Sequence, residues 1–319
     1  MSDVSVIIPS HNVRDLVGQT IESVLSQTDP PEEILVVDDS TDDSIDVIKR
    51  YERRTGGQSG AGGGAAGGGQ VKAIRVEPCN VSEARNIGIE QSTRSFVAFL
   101  DADDIWLPDK IRRQLVLLAE DPDASGAFCG LFNFRSDLDD MGRSTWDVME
   151  DRPGASGIIR TQMVVASASL IRREALGAIR YDERTGHGED TIFAAELALV
   201  GPWRLVPEPL LGRRIHGPRQ ITDSPWHTVW NTRTRVGWCR DRADRLGPDT
   251  AARLEAELWQ NLVEFVERRY WNRELNELRS LRDKVAELCP HVYEHCSIAG
   301  RRIYPRWTYR VRDLFASPR

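Results

Sequence analysis

Long apolar runs are missing from this 319-residue chain. No stretch approaches the roughly 18 to 20 apolar residues that a membrane-spanning helix needs. Met1-Ser2-Asp3 passes straight into a strand pattern, without a basic and then apolar leader, so no secretory signal is expected. Cysteine is sparse. Cys79, Cys129, Cys239, Cys289 and Cys296 are odd in number and scattered, and no Cys-x-x-Cys occurs. That argues against a zinc site or a disulfide framework and fits a reducing cytoplasm. Basic residues do not dominate: 42 Lys and Arg stand against 49 Asp and Glu, a formal charge of −7. Nucleic acid is therefore not an expected partner, because phosphate backbones call for a basic face. No Gly-x-Gly-x-x-Gly follows a strand, which disfavours a dinucleotide-dependent dehydrogenase. Glycines do crowd residues 56–70, but no Lys-Ser/Thr follows them as in a P-loop. Such a segment cannot bury enough apolar area to offset its ordering entropy, and it reads as a flexible surface insertion.

What is present is a length and a 40% apolar content sufficient for one large domain and a smaller one. Val4-Ser5-Val6-Ile7-Ile8 reads as a buried strand. Val17, Ile21, Val24 and Leu25 then recur at helical spacing. Ile34-Leu35-Val36-Val37 is a second apolar strand, and Ile45, Ile48 and Tyr51 mark a second helix capped by Asp42 or Asp43. Residues 71–76 form a third strand. Asn80-Val81-Ser82-Glu83 has the pattern of a variant capping box opening a third helix. Residues 95–100 form a fourth strand, and Ile111, Leu115 and Leu118 a fourth helix. Strands this continuously apolar are buried on both faces, so the fold is α/β with a mostly parallel, Rossmann-like sheet flanked by helices. Ligands of such sheets bind beyond the carboxyl ends of the strands. Those ends carry residues 9–12, Asp38-Asp39 and residues 101–104.

The last of these raises the central question. FVAFLDADDIWLPDK runs a buried strand into Asp101, Asp103 and Asp104, which repel one another. Asp-x-Asp in this place suits a hard divalent cation that shares its oxygen ligands with substrate phosphates. Five further segments accompany it in order: VSVIIPSHN, ILVVDDSTDDS, SEARNIGI, the stretch from ASLIRREALG to GHGEDTIFAAELALVG, and RRIHGPRQIT. Together the six, spanning residues 3 to about 222, resemble the family 2 glycosyltransferases, inverting enzymes of GT-A fold that use nucleotide sugars.

The resemblance implies roles residue by residue. Asp39, with Asp38 beside it, would contact the nucleotide base, and Pro9 and His11 would shape that wall. Arg85 would approach the nucleotide from the third helix. Asp101, Ala102 and Asp103 would form the Asp-x-Asp, with Asp103 the direct ligand of a Mn²⁺ or Mg²⁺ bridging the diphosphate, Asp101 assisting and Asp104 capping the following helix. Asp190 matches the catalytic base, and Glu189 would orient it or hold the acceptor. His216 would reach the metal or diphosphate, and Arg213 to His216 would form a phosphate lid. The donor would be a UDP-, GDP- or dTDP-sugar, and the acceptor a sugar, a glycan or a lipid-linked saccharide in cell-surface assembly.

Three features depart from the family pattern. His11 stands where an aromatic usually precedes Asn12, the acidic loop Asp38-Asp39-Ser40-Thr41-Asp42 lacks a glycine, and the glycine insertion is atypical. The Gln-x-x-Arg-Trp motif of processive synthases is absent, so single-sugar transfer is expected. A nucleotidyltransferase is a competing reading, but Pro9-Ser10-His11-Asn12 offers no Gly-rich loop with a cation. A degenerate protein that binds a nucleotide sugar or a partner without turnover is the other. Beyond the catalytic domain, residues 1–222, a helical region at 223–319 is expected, with Leu254, Leu258, Leu262, Phe265 and Val266 as core and Trp226, Trp230 and Trp238 as packing rather than ligand residues. Arg301, Arg302, Arg306, Arg310 and Arg312 alternate with Tyr304, Trp307 and Tyr309. Residues 298–319 are therefore a candidate peripheral contact with the inner membrane face, in a protein that is otherwise cytoplasmic and open to homo-oligomerisation.

Overall fold

The computed structural model describes residues 1–56, 69–135, 151–162, 164–215, 224–272, 274, 277–299 and 301. Residues 57–68 of the glycine-rich insertion, His216, and residues 300 and 302–319 of the basic-aromatic tail lie outside them. The chain divides into two compact units, Met1–Gly217 and Pro218–Arg319.

The first unit opens with β1 (Ser2–Ser10), α1 (Val17–Leu25), β2 (Pro31–Asp38), α2 (Ser44–Gly56), β3 (Gln70–Arg75), α3 (Val81–Gln91) and β4 (Phe96–Phe99). It continues with β5 (Ile105–Trp106), α4 (Lys110–Glu120), β6 (Gly126–Phe134), α5 (Ala155–Thr161), β7 (Ser169–Arg172), α6 (Arg173–Leu176), α7 (Glu189–Ala198) and β8 (Trp203–Arg214). The eight strands form one sheet in the order β3-β2-β1-β4-β7-β6-β8-β5. Strands β1 to β4 pair in parallel, β7 runs antiparallel between β4 and β6, and β5 runs antiparallel to β8. The expected mostly parallel sheet is present.

Alternation along the strands decides which helix covers which face. Val4, Val6 and Ile8 of β1 are fully buried in one cluster with Val17, Ile21 and Val24 of α1, Ile48 of α2, and Ile111 and Leu118 of α4. Ile7 points the other way, under α3. A Cβ added at Gly88 would lie 2.3 Å from Ile7 Cγ2, so this glycine lets α3 approach β1. Gly88→Ala is expected to destabilise by about 1 to 3 kcal/mol through overpacking, more than the ~1 kcal/mol that helix propensity returns. A urea midpoint lowered at constant m-value would register this, and a raised midpoint would mean that α3 shifts freely.

Helix starts behave as their sequences suggest. Asp42 Oδ1 accepts from the Ser44 N–H at 2.9 Å, so Asp42 rather than Asp43 caps α2. Asn80 and Glu83 form a reciprocal capping box at α3.

The second unit contains α8 (Pro225–Asp241), α9 (Ala243–Leu246), α10 (Pro248–Trp271), α11 (Leu278–Leu288) and α12 (Pro290–Tyr293). Leu254, Leu258, Leu262 and Val266 are buried, as are Leu278, Leu281 and Val285. Phe265 is half-buried. Trp238 is buried, whereas Trp226 and Trp230 are half-buried and stacked on each other. Among the described residues no helix is long and apolar enough to cross a membrane.

Candidate active site

Parallel register brings the polar strand ends together. Ser10 lies opposite Asp38, Asp38 opposite Arg75, and Ile7 opposite Phe99. Asp38 is fully buried. One of its oxygens accepts from the Ser10 and Ser40 hydroxyls, and the other pairs with Arg75. Asp38 thus has no surface for a ligand and instead fixes the loop that carries Asp39. Asp39 Oδ2 accepts from the Cys79 N–H at 3.1 Å, and its Oδ1 meets His11 Nδ1 at 2.8 Å. The His11 side chain is 62% exposed. Pro9 is half-buried in β1 opposite Val37. Asn12 adopts a left-handed φ of 52°, and its Oδ1 accepts from the N–H groups of Thr41 and Asp42. In this way Asn12 closes the acidic loop that lacks a glycine.

The loop at residues 100–104 is held from three sides. Leu100 N–H donates to Ile7 O, and Thr20 Oγ1 donates to the carbonyls of Ala102 and Asp104, each at 2.8 Å. Asp104 does not cap the next helix. That helix begins only at Lys110, beyond the extended β5, and the buried Asp104 carboxylate accepts from the Arg214 N–H at 3.0 Å. Burial pushes its pKa well above the usual carboxylate range, Asp101 and Asp103 add to the rise, and the Arg214 N–H opposes it. Arg214 is no lid residue either. It is buried at the end of β8, where its Nε donates to Asp103 O at 2.9 Å and its Nη2 to Gln19 Oε1 at 2.8 Å. Arg213 turns to Asn133 of β6. Ala102 is buried, and its carbonyl is engaged by Thr20.

Arg85 organises the far side. Only 2% exposed, it donates from Nη1 to Asp190 Oδ1 at 2.6 Å and from Nη2 to Asp101 Oδ1 at 2.9 Å, with Glu189 Oε1 at 3.7 Å. Its guanidinium lies 5.0 Å from the Tyr181 ring centroid. The repulsion posed by the sequence is thus compensated in part by a buried cation. Arg85 is a hub between the Asp-x-Asp loop and the Glu-Asp pair, rather than a side chain extended toward the nucleotide.

Glu189 and Asp190 occupy the first turn of α7, where the helix dipole favours negative charge, after Gly188 at φ 80°. The Asp190 side chain is 24% exposed, and its Oδ2 accepts from the Ala166 N–H at 3.2 Å. Burial raises its pKa to about 6; Arg85 opposes the rise, Glu189 and Asp101 add to it, and the Ala166 N–H opposes it. A partly exposed carboxylate with its pKa raised to about 6 is suited to taking up a proton.

Asp101 and Asp103 remain partly exposed, Asp101 by 40%, and both are hard oxygen donors. Their chemistry fits a Mg²⁺ or Mn²⁺ that keeps waters and phosphate oxygens as its other ligands. Among the described residues no group of three His, Cys, Asp or Glu converges as a closed metal cage, and His216 lies outside them.

Sequence reasoning missed several contributors. Asn86 brackets Tyr181, accepting from its N–H and donating to its carbonyl, and Tyr181 stacks on Phe193 of α7 with centroids 3.9 Å apart. The Arg-Asn pair in the third-helix segment was the available signal. Ser167, whose hydroxyl accepts from the Asp101 N–H at 3.0 Å, carried none.

A mixed, mostly parallel sheet with Asp-x-Asp after its fourth strand and a Glu-Asp pair opening a helix across the cleft defines a GT-A fold. The chain belongs to glycosyl transferase family 2, whose model matches residues 5–180. It is similar to the putative teichuronic acid biosynthesis glycosyltransferase TuaG of Bacillus subtilis (strain 168), with 36% identity over 118 residues, 37% of this chain and 42% of TuaG. It is also similar to WfgD of Escherichia coli, a UDP-Glc:alpha-D-GlcNAc-diphosphoundecaprenol beta-1,3-glucosyltransferase, with 30% identity over 116 residues, 36% of this chain and 40% of WfgD. The matched stretch thus spans about two fifths of these relatives' length. Two solved structures share the fold. S. aureus TarS 1–349 in complex with UDP-GlcNAc superposes with a TM-score of 0.59 at 18% identity, covering 84% of this chain and 72% of TarS 1–349. The mannosyltransferase PcManGT of Pyrobaculum calidifontis, in complex with GDP-Man and Mn²⁺, gives 0.58 at 17% identity, covering 98% and 79%.

Proposed function

We propose that this chain is a metal-dependent, inverting glycosyltransferase that moves a single sugar from a nucleoside-diphosphate sugar to an acceptor hydroxyl in cell-surface glycan or glycolipid assembly. The observation that carries the reading is Asp190, with its pKa raised to about 6 and Arg85 between it and Asp101. In the proposed mechanism Asp190 takes the proton from the acceptor hydroxyl as that oxygen attacks the anomeric carbon. Glu189, beside it on the first turn of α7, holds the acceptor. Attack from the Asp190 side, opposite the leaving diphosphate, inverts the anomeric centre. Asp39 and the exposed face of His11 receive the base, with Pro9 as the wall behind them. Asp101 and Asp103 would hold the divalent ion, which when bound stabilises the charge developing on the leaving diphosphate. Arg85 keeps Asp101 and Asp190 at a fixed separation while both are ionised.

The relatives support the substrate classes. TarS and PcManGT are bound to UDP-GlcNAc and to GDP-Man with Mn²⁺, and WfgD is named for a diphosphoundecaprenol-linked acceptor. Such an acceptor would place the enzyme on the cytoplasmic face of a membrane. The domain carrying this chemistry is residues 1–222.

Calorimetric titration tests the donor site. UDP-glucose, UDP-GlcNAc, GDP-mannose and a dTDP-sugar are each titrated into the full chain with Mn²⁺ and with EDTA, and again with Asp103→Ala. One donor is expected to bind with metal and to lose about 100-fold or more in affinity without metal or without Asp103. A lost direct ligand should exceed the 10- to 100-fold effects typical of outer contacts. Absence of binding by every donor overturns the reading.

A further inference from the structure

Arg85 is not the sole link between the Asp-x-Asp loop and the base. A short 3-10 turn at Ala166–Ala168 leads into β7, and the polar groups of residues 166–169 reach both sides of the site. The Ala166 N–H donates to Asp190 Oδ2, and Ser167 Oγ accepts from the Asp101 N–H. From beneath, three side chains grip the same residues. Trp106 Nε1 donates to Ser167 O at 2.8 Å, Gln114 Nε2 to Ala168 O at 2.8 Å, and Lys110 Nζ to Ser169 O at 3.2 Å. All three are buried, Lys110 completely. Lys110 and Gln114 stand one turn apart on one face of α4, and Trp106 reaches the same residues from β5. They also support one another: Lys110 donates to Gln114 Oε1 at 2.8 Å and lies 3.9 Å from the Trp106 ring centroid. Burial lowers the Lys110 pKa to about 8. A lysine placed there carries a desolvation penalty that a Met or Leu would avoid, and general core packing does not account for it.

We propose that residues 166–169 are a strut that sets the Asp190 carboxylate against the Asp-x-Asp loop, and that Trp106, Lys110 and Gln114 are positioning residues that hold the strut. The Asp-x-Asp loop has further anchors in Thr20, in the Asp104 carboxylate and in Arg214. Asp190 has Arg85 and the strut. Loosening the strut therefore displaces the base relative to the donor while leaving the donor site in place. Misplacement of this kind costs rate rather than affinity.

The inference rests on Asp190 being the base of a transferase, so wild type is measured first. Slow hydrolysis of the donor found by titration serves as the assay, with water as acceptor. A wild-type protein that binds no donor and hydrolyses none overturns the transferase reading itself, and with it the role given to the strut. With wild-type turnover in hand, Trp106→Phe and Gln114→Met are compared in the full chain. Trp106→Phe removes the indole N–H and keeps an aromatic ring, and Gln114→Met removes the amide, including the acceptor for Lys110, and keeps the side chain's length. Both are expected to lower kcat about tenfold or more, with the calorimetric donor Kd changed less than threefold and a folded thermal transition retained. Ser167→Thr, which keeps the hydroxyl, is expected to retain more kcat than Ser167→Ala. Unchanged kcat in the folded Trp106 and Gln114 variants overturns the proposal, as does a loss of kcat matched by an equal loss of donor affinity. If either variant fails to fold, the Ser167 pair decides the question by the same criteria.

Discussion

Asp190→Asn is expected to lower kcat by about 10³-fold, within the usual contribution of a positioned general base, while donor affinity measured with Mn²⁺ stays near that of wild type. The substitution keeps the shape of the side chain and an oxygen for Arg85 Nη1, but it also removes the charge paired with Arg85 and the oxygen that accepts from the Ala166 N–H, so a thermal melt is recorded beside kcat. The pH profile is the companion measurement. With its pKa at about 6, Asp190 is protonated and inactive as a base below that value. Activity in wild type should therefore rise as pH increases through about 6 and level off above it, and the residual activity of the Asn variant should lack that limb. A wild-type profile flat from pH 5 to 8, or an Asn variant with undiminished kcat, would remove Asp190 from the mechanism.

Arg85→Met has the largest expected effect on the fold. The guanidinium is 2% exposed and faces Asp190, Asp101 and Glu189. Removing one partner of a buried charge network typically costs about 3 to 5 kcal/mol, because the remaining charges are left uncompensated. The sign of the pH dependence follows. Without Arg85 the Asp190 pKa moves further above its unfolded value, so the folded form binds the proton more tightly than the unfolded form. Stability of the variant should be greatest in acid and fall as pH rises through about 6 and beyond. Urea melts of both proteins in EDTA at pH 5 and pH 8 measure this. The difference between wild type and variant should be small at pH 5 and large at pH 8. A difference independent of pH would assign Arg85 to packing alone. Added Mn²⁺ should restore part of the loss at pH 8, because a cation on Asp101 relieves the same repulsion.

The strand ends show how far local reading reaches. Ile34 to Val37 is apolar without interruption and Val4 to Ile8 is broken only by Ser5, and a backbone strand with apolar residues on both sides must be covered on both faces. That logic needs no coordinates, and it places residues 9–12, 38–39 and 101–104 on one edge. The helix caps at Asp42 and Asn80 were legible for the same reason, since a cap is a contact within three residues.

Roles that depend on distant partners were not legible. Asp38 and Asp39 are adjacent and chemically identical, yet one is sealed by Ser10, Ser40 and Arg75 while the other, also buried, meets the exposed His11 and the Cys79 N–H. Asp104 looked like a helix cap because the nearest helix lay downstream in sequence. Its partner is the Arg214 amide, 110 residues away. Arg213 and Arg214 read as part of a phosphate lid because they precede His216 and a Gly-Pro loop in a segment that resembles the family's. Pairing of β8 with β6 instead turns Arg213 to Asn133 and buries Arg214 against the loop it holds.

The sequence by itself determined the first four strands and helices of the sheet domain, the edge on which polar residues gather, and the two acidic motifs, because each is written in residues close together along the chain. Only the tertiary structure decided that a buried arginine compensates those acids, that burial raises the Asp190 pKa, and that Ala166 and Ser167 link Asp190 to the Asp-x-Asp loop. These depend on which side chains from distant segments are taken out of water together, and burial of a charge has no local signature.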